Sequence, residues 1–158
     1  MGRPSDTPIV RIANPMLQYY SAVRDSVLPS LLATESVSST AVYPHRIFEA
    51  GQVAVYDPVA NAGSRTETHV AALLAQKAVT FSEAHSLLEL LVYYMDHTYA
   101  LTETDHPSFI PGRCGQIVVD GRAAGVIGEL HPQVLANWAI QMPAAAFELT
   151  LSAFRRSG

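Results

Sequence analysis

The chain has 158 residues and a net charge of −4, with 49% hydrophobic and only 15% charged side chains. That length suffices for one domain with its own core, and so few charges leave room for an apolar surface that a partner covers. No cluster of Lys and Arg marks a nucleic-acid footprint, and a single cysteine, Cys114, excludes an internal disulfide and a cysteine-built zinc site.

The opening "MGRPSDTPIV" lacks the apolar stretch of a signal peptide. No run approaches the roughly 18 apolar residues of a membrane span. The expectation is a soluble cytoplasmic protein with no membrane partner, and one cysteine fits a reducing compartment. Residues 1–8 read as a tail, 9–155 as one domain and 156–158 as a second short tail.

In chain order, "IVRIAN" predicts a strand that stops at Asn14-Pro15, because Asn before Pro is held out of the helical region. "DSVLPSLLATESVSS" predicts a helix capped by Asp25 or Ser26, with Pro29 in its first turn and Val27, Leu28, Leu31 and Leu32 at helical spacing. "HRIFEAGQVAVYD" reads as a strand buried on both faces, with Gly51 as a bulge. "PVANAGSRTET" reads as a polar loop and "HVAALLAQK" as another buried strand, although its periodicity alone allows a helix. "TFSEAHSLLELLVYYMDHT" predicts a helix with a Thr80/Glu83 capping box and an apolar stripe of Phe81, Leu87, Leu88, Leu91, Val92 and Met95.

"YALTETD" is a candidate strand. "CGQIVVD" and "RAAGVIGEL" predict a hairpin around Asp120-Gly121, a strong two-residue turn signal. "PQVLANWAI" follows as a short helix with Pro132 at its first position. "AAAFELTLSAF" reads as a final strand, with Phe147, Leu149 and Leu151 on one face and Glu148, Thr150 and Ser152 on the other. A hairpin without strict strand–helix alternation gives an α+β domain: a mainly antiparallel sheet with helices on one face.

Several groups invite chemistry. His106, Arg113 and Cys114 suggest a Cys–His nucleophile, but Cys114 begins an apolar strand and no third orienting residue follows from the spacing. His106 and His131, each before a proline, suggest a metal, yet no HExxH-like pair exists and Glu103, Asp105 and Glu129 are scattered. The simpler reading is hydrogen-bonded histidines that shape loops. "IPGRCG" lacks the Gly-Lys-Ser/Thr ending of a phosphate loop; Gly112 supplies a positive-φ turn after Pro111, and Arg113 either binds an anion or, the favoured reading, pairs with Asp105 or Glu129. Arg46 and Glu49 point to opposite faces of a strand, so each needs its own partner. Tyr19, Tyr20, Tyr93, Tyr94 and Tyr99 suit an aromatic pocket, a core or an interface equally well.

Taken jointly, these segments resemble a known family. "DHPSFIPGRCGQIVVDGRAAGVIGELHPQVLANWAI" with "FELTL" resembles the C-terminal core of the phenylalanyl-tRNA synthetase β subunit, archaeal and eukaryotic type. "IANPMLQYYSAVRDSVLPSLL", "YPHRIFEAGQVAVYD" and "AALLAQKAVTFSEAHSLLELL" resemble preceding pieces of that subunit, in order, over roughly residues 9–152.

The resemblance implies a class II synthetase-like fold, an antiparallel sheet with flanking helices, that has lost its chemistry. It implies that the α subunit binds ATP, phenylalanine and the acceptor end of tRNA, and that this chain packs on α within a hetero-oligomer. Tests of the loss sit at two places. Class II sites hold phosphate with an Arg-x-Glu strand and a later arginine. Here the strand reads Arg46-Ile47-Phe48-Glu49, one residue too long, and "GVIGELHPQVL" has no arginine.

No catalytic or metal residue is therefore expected. No cofactor is expected in this chain, with ATP and Mg²⁺ elsewhere in the complex, and tRNA is met only through the whole assembly. Arg46, Glu49, Arg113 and Glu129 are the residues left to line a residual pocket in an alternative reading, a stand-alone relative that binds an amino acid or nucleotide. The interface candidates are Met16, Leu17, Tyr19 and Tyr20, and the isolated chain is expected to self-associate or expose an apolar patch there.

Overall fold

A computed structural model describes residues 8–11, 22–38 and 40–155. Six strands form one wholly antiparallel sheet in the order β1-β2-β6-β5-β4-β3. They are β1 (His45–Tyr56), β2 (Ser64–Ala75), β3 (Tyr99–Glu103), β4 (Phe109–Val119), β5 (Arg122–Leu130) and β6 (Ala144–Thr150). The helices are α1 (Leu28–Val37), α2 (Phe81–Tyr94) and α3 (Pro132–Asn137), and a 3-10 turn over Leu151–Phe154 follows β6. Among the described residues no helix is long and apolar enough to cross a membrane.

The period-2 alternation of the central strands sends side chains to two cores. On one face Leu73 and Ala146 meet Leu28, Leu31 and Leu32 of α1 and Val134 and Leu135 of α3. On the other, Leu74, Ile127, Phe147 and Leu149 meet Ala84, Leu88 and Val92 of α2 and Phe154. Helices therefore cover both faces, not one as the element order suggested. The reason lies in β6: six of its seven residues are buried, so neither face is a solvent face.

Other expectations shift for local reasons. β1 is not buried on both faces. Ile47, Val53 and Val55 pack toward α1, but the other side carries Phe48 at 78% exposure with Arg46, Ala50 and Gln52 exposed beside it. Gly51 makes no bulge, for β1 and β2 pair without interruption from His45↔Ala75 to Tyr56↔Ser64. Its role is clearance: a Cβ there would collide with the Arg24 guanidinium. The loop predicted over 58–68 closes early because β2 starts at Ser64. The last strand ends at Thr150, whose Oγ1 accepts from the Ser152 amide and opens the 3-10 turn, so Leu151 leaves the strand alternation.

α2 starts as its sequence requires, with the Thr80 amide donating to Glu83 Oε2 at 3.0 Å. Of its predicted stripe, Met95 lies past the last turn and is exposed. Asp120 and Gly121 both take positive φ, 48° and 78°, in a two-residue turn between Val119 and Arg122, as the hairpin signal demands. Gly112 also has positive φ, 73°, where the β4–β5 register shifts between Phe109 and Cys114. Of "IVRIAN", residues 9–11 are described and Arg11 bridges Ala22; the remainder lies outside the described residues, as do Met16, Leu17, Tyr19 and Tyr20.

Candidate functional site

The most concentrated polar chemistry lies under the N-terminus of α1, on a residue that the sequence pattern placed on a polar strand face. Glu148, in the middle of β6, is only 8% exposed. Its Oε1 accepts from the Val27 amide at 2.9 Å and from His69 Nδ1 at 2.7 Å. Its Oε2 accepts from the Leu28 amide at 2.9 Å and from Ser26 Oγ at 2.6 Å. A carboxylate has about four lone-pair sites, and here all are used.

α1 is thus capped by a distant carboxylate. Val27, not Asp25 or Ser26, is the N-cap, and Ser26 instead donates to Glu148. An anion at a helix start meets the positive end of the macrodipole as well as the free amides.

β2 completes the cluster, because His69 lies opposite Thr150 in the β2–β6 ladder. Its Nε2 lies 3.2 Å from Glu67 Oε2, and that oxygen also accepts from Thr150 Oγ1 at 2.8 Å. Burial opposes charge on both members of the pair. For Glu148 the hydrogen bonds from His69, Ser26 and two amides outweigh it, and the carboxyl is held below the usual range. For His69 the bond to Glu148 and its charge, then Glu67, outweigh burial and raise the imidazole. The result is a fully bonded pair that fixes helix to sheet, with no lone pair of the Glu148 carboxylate left for a substrate proton.

A cavity of about 190 Å³ adjoins it, walled by Leu28, Phe109, Val126 and Leu149, with Ser26, His69, His106 and Glu148 at its polar side. His106 accepts from the Ser108 amide at Nδ1, 3.2 Å, and burial pushes its pKa down.

Arg46, Glu49, Arg113 and Glu129 do not come together. Glu49 faces α1 and receives Arg24 Nη1 at 2.7 Å, while Arg46 is on the opposite face of β1. Arg113 Nη1 pairs with Glu129 Oε2 at 2.7 Å, choosing Glu129 over Asp105, and Glu129 Oε1 accepts the Phe81 amide at the start of α2. Glu129 and Glu49 lie on opposite faces, and β5 is three strands from β1, roughly 14 Å.

Cys114 Sγ is bonded to the Thr104 carbonyl at 3.0 Å. His131 Nδ1 accepts from the Gln133 amide at the head of α3, so both His-Pro histidines shape loops. Among the described residues, no three His, Cys, Asp or Glu side chains converge as metal ligands. Tyr99 bonds His85 inside the sheet–α2 layer, whereas Tyr93 and Tyr94 stand exposed, so these three share no pocket; Tyr19 and Tyr20 lie outside the described residues. Glu35 was the other silent signal. It is 1% exposed at the end of α1 and accepts from Tyr43 Oη and His45 Nδ1.

Comparison with known proteins bears on this arrangement. The family model described as the phenylalanyl tRNA synthetase beta chain CLM domain matches residues 3–151. The phenylalanine–tRNA ligase beta subunit of Thermococcus kodakarensis is 44% identical over 144 residues, 91% of this chain and 25% of the relative. That of Pyrococcus furiosus is 44% identical over 148 residues, 94% of this chain and 27% of the relative. That of Treponema pallidum is 41% identical over 145 residues, 92% and 24%. The chain thus spans about a quarter of the length of the curated relatives it matches.

Proposed function

This chain belongs to the phenylalanyl tRNA synthetase beta chain CLM-domain family, and from that premise we propose that it is a non-catalytic assembly module that packs on the catalytic α subunit of a phenylalanine–tRNA ligase. On this reading it is a class II synthetase-like core, residues 9–155, that works in the cytoplasm. ATP, Mg²⁺ and phenylalanine are handled by α, and tRNA is met through the whole complex.

One observation carries the reading. The charged groups at the places where the resemblance puts phosphate clamps are committed elsewhere: Glu49 to Arg24, and Glu129 to Arg113 and the Phe81 amide. Phosphoryl chemistry needs uncommitted cations aimed at one point, and Arg46 lies on the far face of the strand from Glu49. The uncovered side of β1, with Phe48 at 78% exposure, supports a role in association.

The test is phenylalanine-dependent ATP–pyrophosphate exchange by the chain alone, in a preparation free of host synthetase. No exchange above background is expected, and robust exchange would refute the non-catalytic role. A second reading, a stand-alone relative that binds an amino acid or nucleotide, draws on the cavity beside Glu148. Calorimetric titration with ATP and with phenylalanine separates the two, since only the second reading expects saturable heat.

A further inference from the structure

We infer that the concavity at the C-terminal end of α2 is a docking point for an arginine side chain of a partner protein. It is an open cavity of about 690 Å³ lined by Tyr93, Tyr94, Asp96, His97, Thr98 and Asp120, on the outside of the α2 layer and remote from the Glu148 cluster.

Three independent features of this concavity favour a cation. The first is helical. α2 ends here, its last carbonyls carry the negative end of the macrodipole, and no basic residue occupies the last turn. The second is Asp120. It sits in a two-residue turn at positive φ, half-exposed, with Oδ2 held by His97 Nδ1 at 2.6 Å, Thr98 Oγ1 at a long 3.5 Å from Oδ1, and the Thr98 amide also donating to the carboxylate. The His97 bond, ahead of the other effects that favour the charged form, keeps its carboxyl below the usual range, so it is anionic at neutral pH.

The third feature is aromatic. Tyr93 and Tyr94 are 75% and 77% exposed, with ring centroids 5.7 Å apart in an edge-to-face pair. Adjacent residues on a helix do not share a face, so one contact with the core could not have hidden both. Two rings held in this way present π faces to a visitor.

The combination selects among cations. A guanidinium is planar, weakly hydrated, and able to stack on a ring while its edge donates to a carboxylate; an ammonium does only the second well. A nucleic-acid partner is disfavoured, because Asp120 and the helix C-terminus repel phosphate. The assignment goes beyond the proposed assembly role and does not depend on which protein supplies the arginine.

The test uses the whole chain, isotope-labelled, titrated with acetyl-Gly-Arg-Gly-amide and with its lysine and citrulline counterparts, read through amide chemical shifts. Saturable shifts at Tyr93, Tyr94 and Asp120 are expected for arginine, weaker ones for lysine and none for citrulline. Asp120→Asn keeps the turn, because Asn-Gly suits it equally, and should weaken arginine binding roughly two- to fivefold, as should the double Tyr93→Ser, Tyr94→Ser variant. The Tyr93→Phe, Tyr94→Phe pair keeps the rings and should bind like the parent. An equal response to citrulline, shifts confined to other regions, parent-like binding by Asp120→Asn and the Ser pair, or stronger shifts of these amides by hexauridylate would each overturn the assignment.

Discussion

Glu148 on β6 and His69 on β2 are diagonal neighbours across the ladder, with Nδ1 donating to Oε1 at 2.7 Å, and the same carboxylate receives the first amides of α1. One side chain therefore fixes the sheet register at its centre and holds a helix against it. Removing the carboxylate strands an imidazole, a hydroxyl and two amides in a buried site. Glu148→Ala should cost about 3–5 kcal/mol, read as a lowered urea midpoint with an unchanged slope. A loss below about 1 kcal/mol would mean that water replaces the carboxylate at no great cost.

The same pair sets a pH dependence. Glu148 is held below its ordinary value of 4.5, so its contribution is present above that value and is lost as pH falls through the folded one. His69 is raised above 6.5, so its contribution is complete below 6.5 and is lost as pH rises through the folded value. The two overlap between 4.5 and 6.5, where the pair stabilises most. His69→Gln should abolish the alkaline decline and leave an acid one. A parent-minus-variant difference that stays flat from acid to alkaline pH would contradict this.

Gly121 has φ 78° with open space where a Cβ would stand, so the cost of a side chain there is backbone strain alone. Gly121→Val should destabilise by about 1–3 kcal/mol, and Gly121→Asn by much less, since Asn tolerates this region. Equal midpoints for the Val and Asn variants would show that the turn rearranges freely.

Phe48 marks where an isolated chain should self-associate. The apolar patch expected around Met16, Leu17, Tyr19 and Tyr20 lies outside the described residues, whereas Phe48 stands 78% exposed on edge strand β1 beside exposed Ala50. Edge strands with apolar faces recruit further strands, and lysine blunts them. Phe48→Lys should shift sedimentation equilibrium toward monomer. A parent chain that is monomeric at high concentration would remove the need for a partner on this edge.

Much of the fold was legible because its signals are local. The Thr80/Glu83 box, the Asp120-Gly121 turn and the Pro132 helix start each depend on neighbours within a few residues. What the sequence concealed depends on residues far apart. Glu148 alternates with Phe147 and Leu149 like a solvent-side residue, yet its partners Ser26 and His69 are 122 and 79 positions away. Gly51 looked like a bulge because nothing local announces that Arg24 will cross it. Arg113 kept two acids within reach until β4–β5 pairing put Glu129 beside it.

Association with a catalytic α subunit, without chemistry of its own, is the role proposed for this chain. Sedimentation velocity of the chain mixed with the phenylalanine–tRNA ligase α subunit of the same organism tests it most directly. A stoichiometric complex that sediments faster than either component, formed without ATP or phenylalanine, is expected. Two unshifted boundaries at micromolar concentrations of both proteins would contradict it.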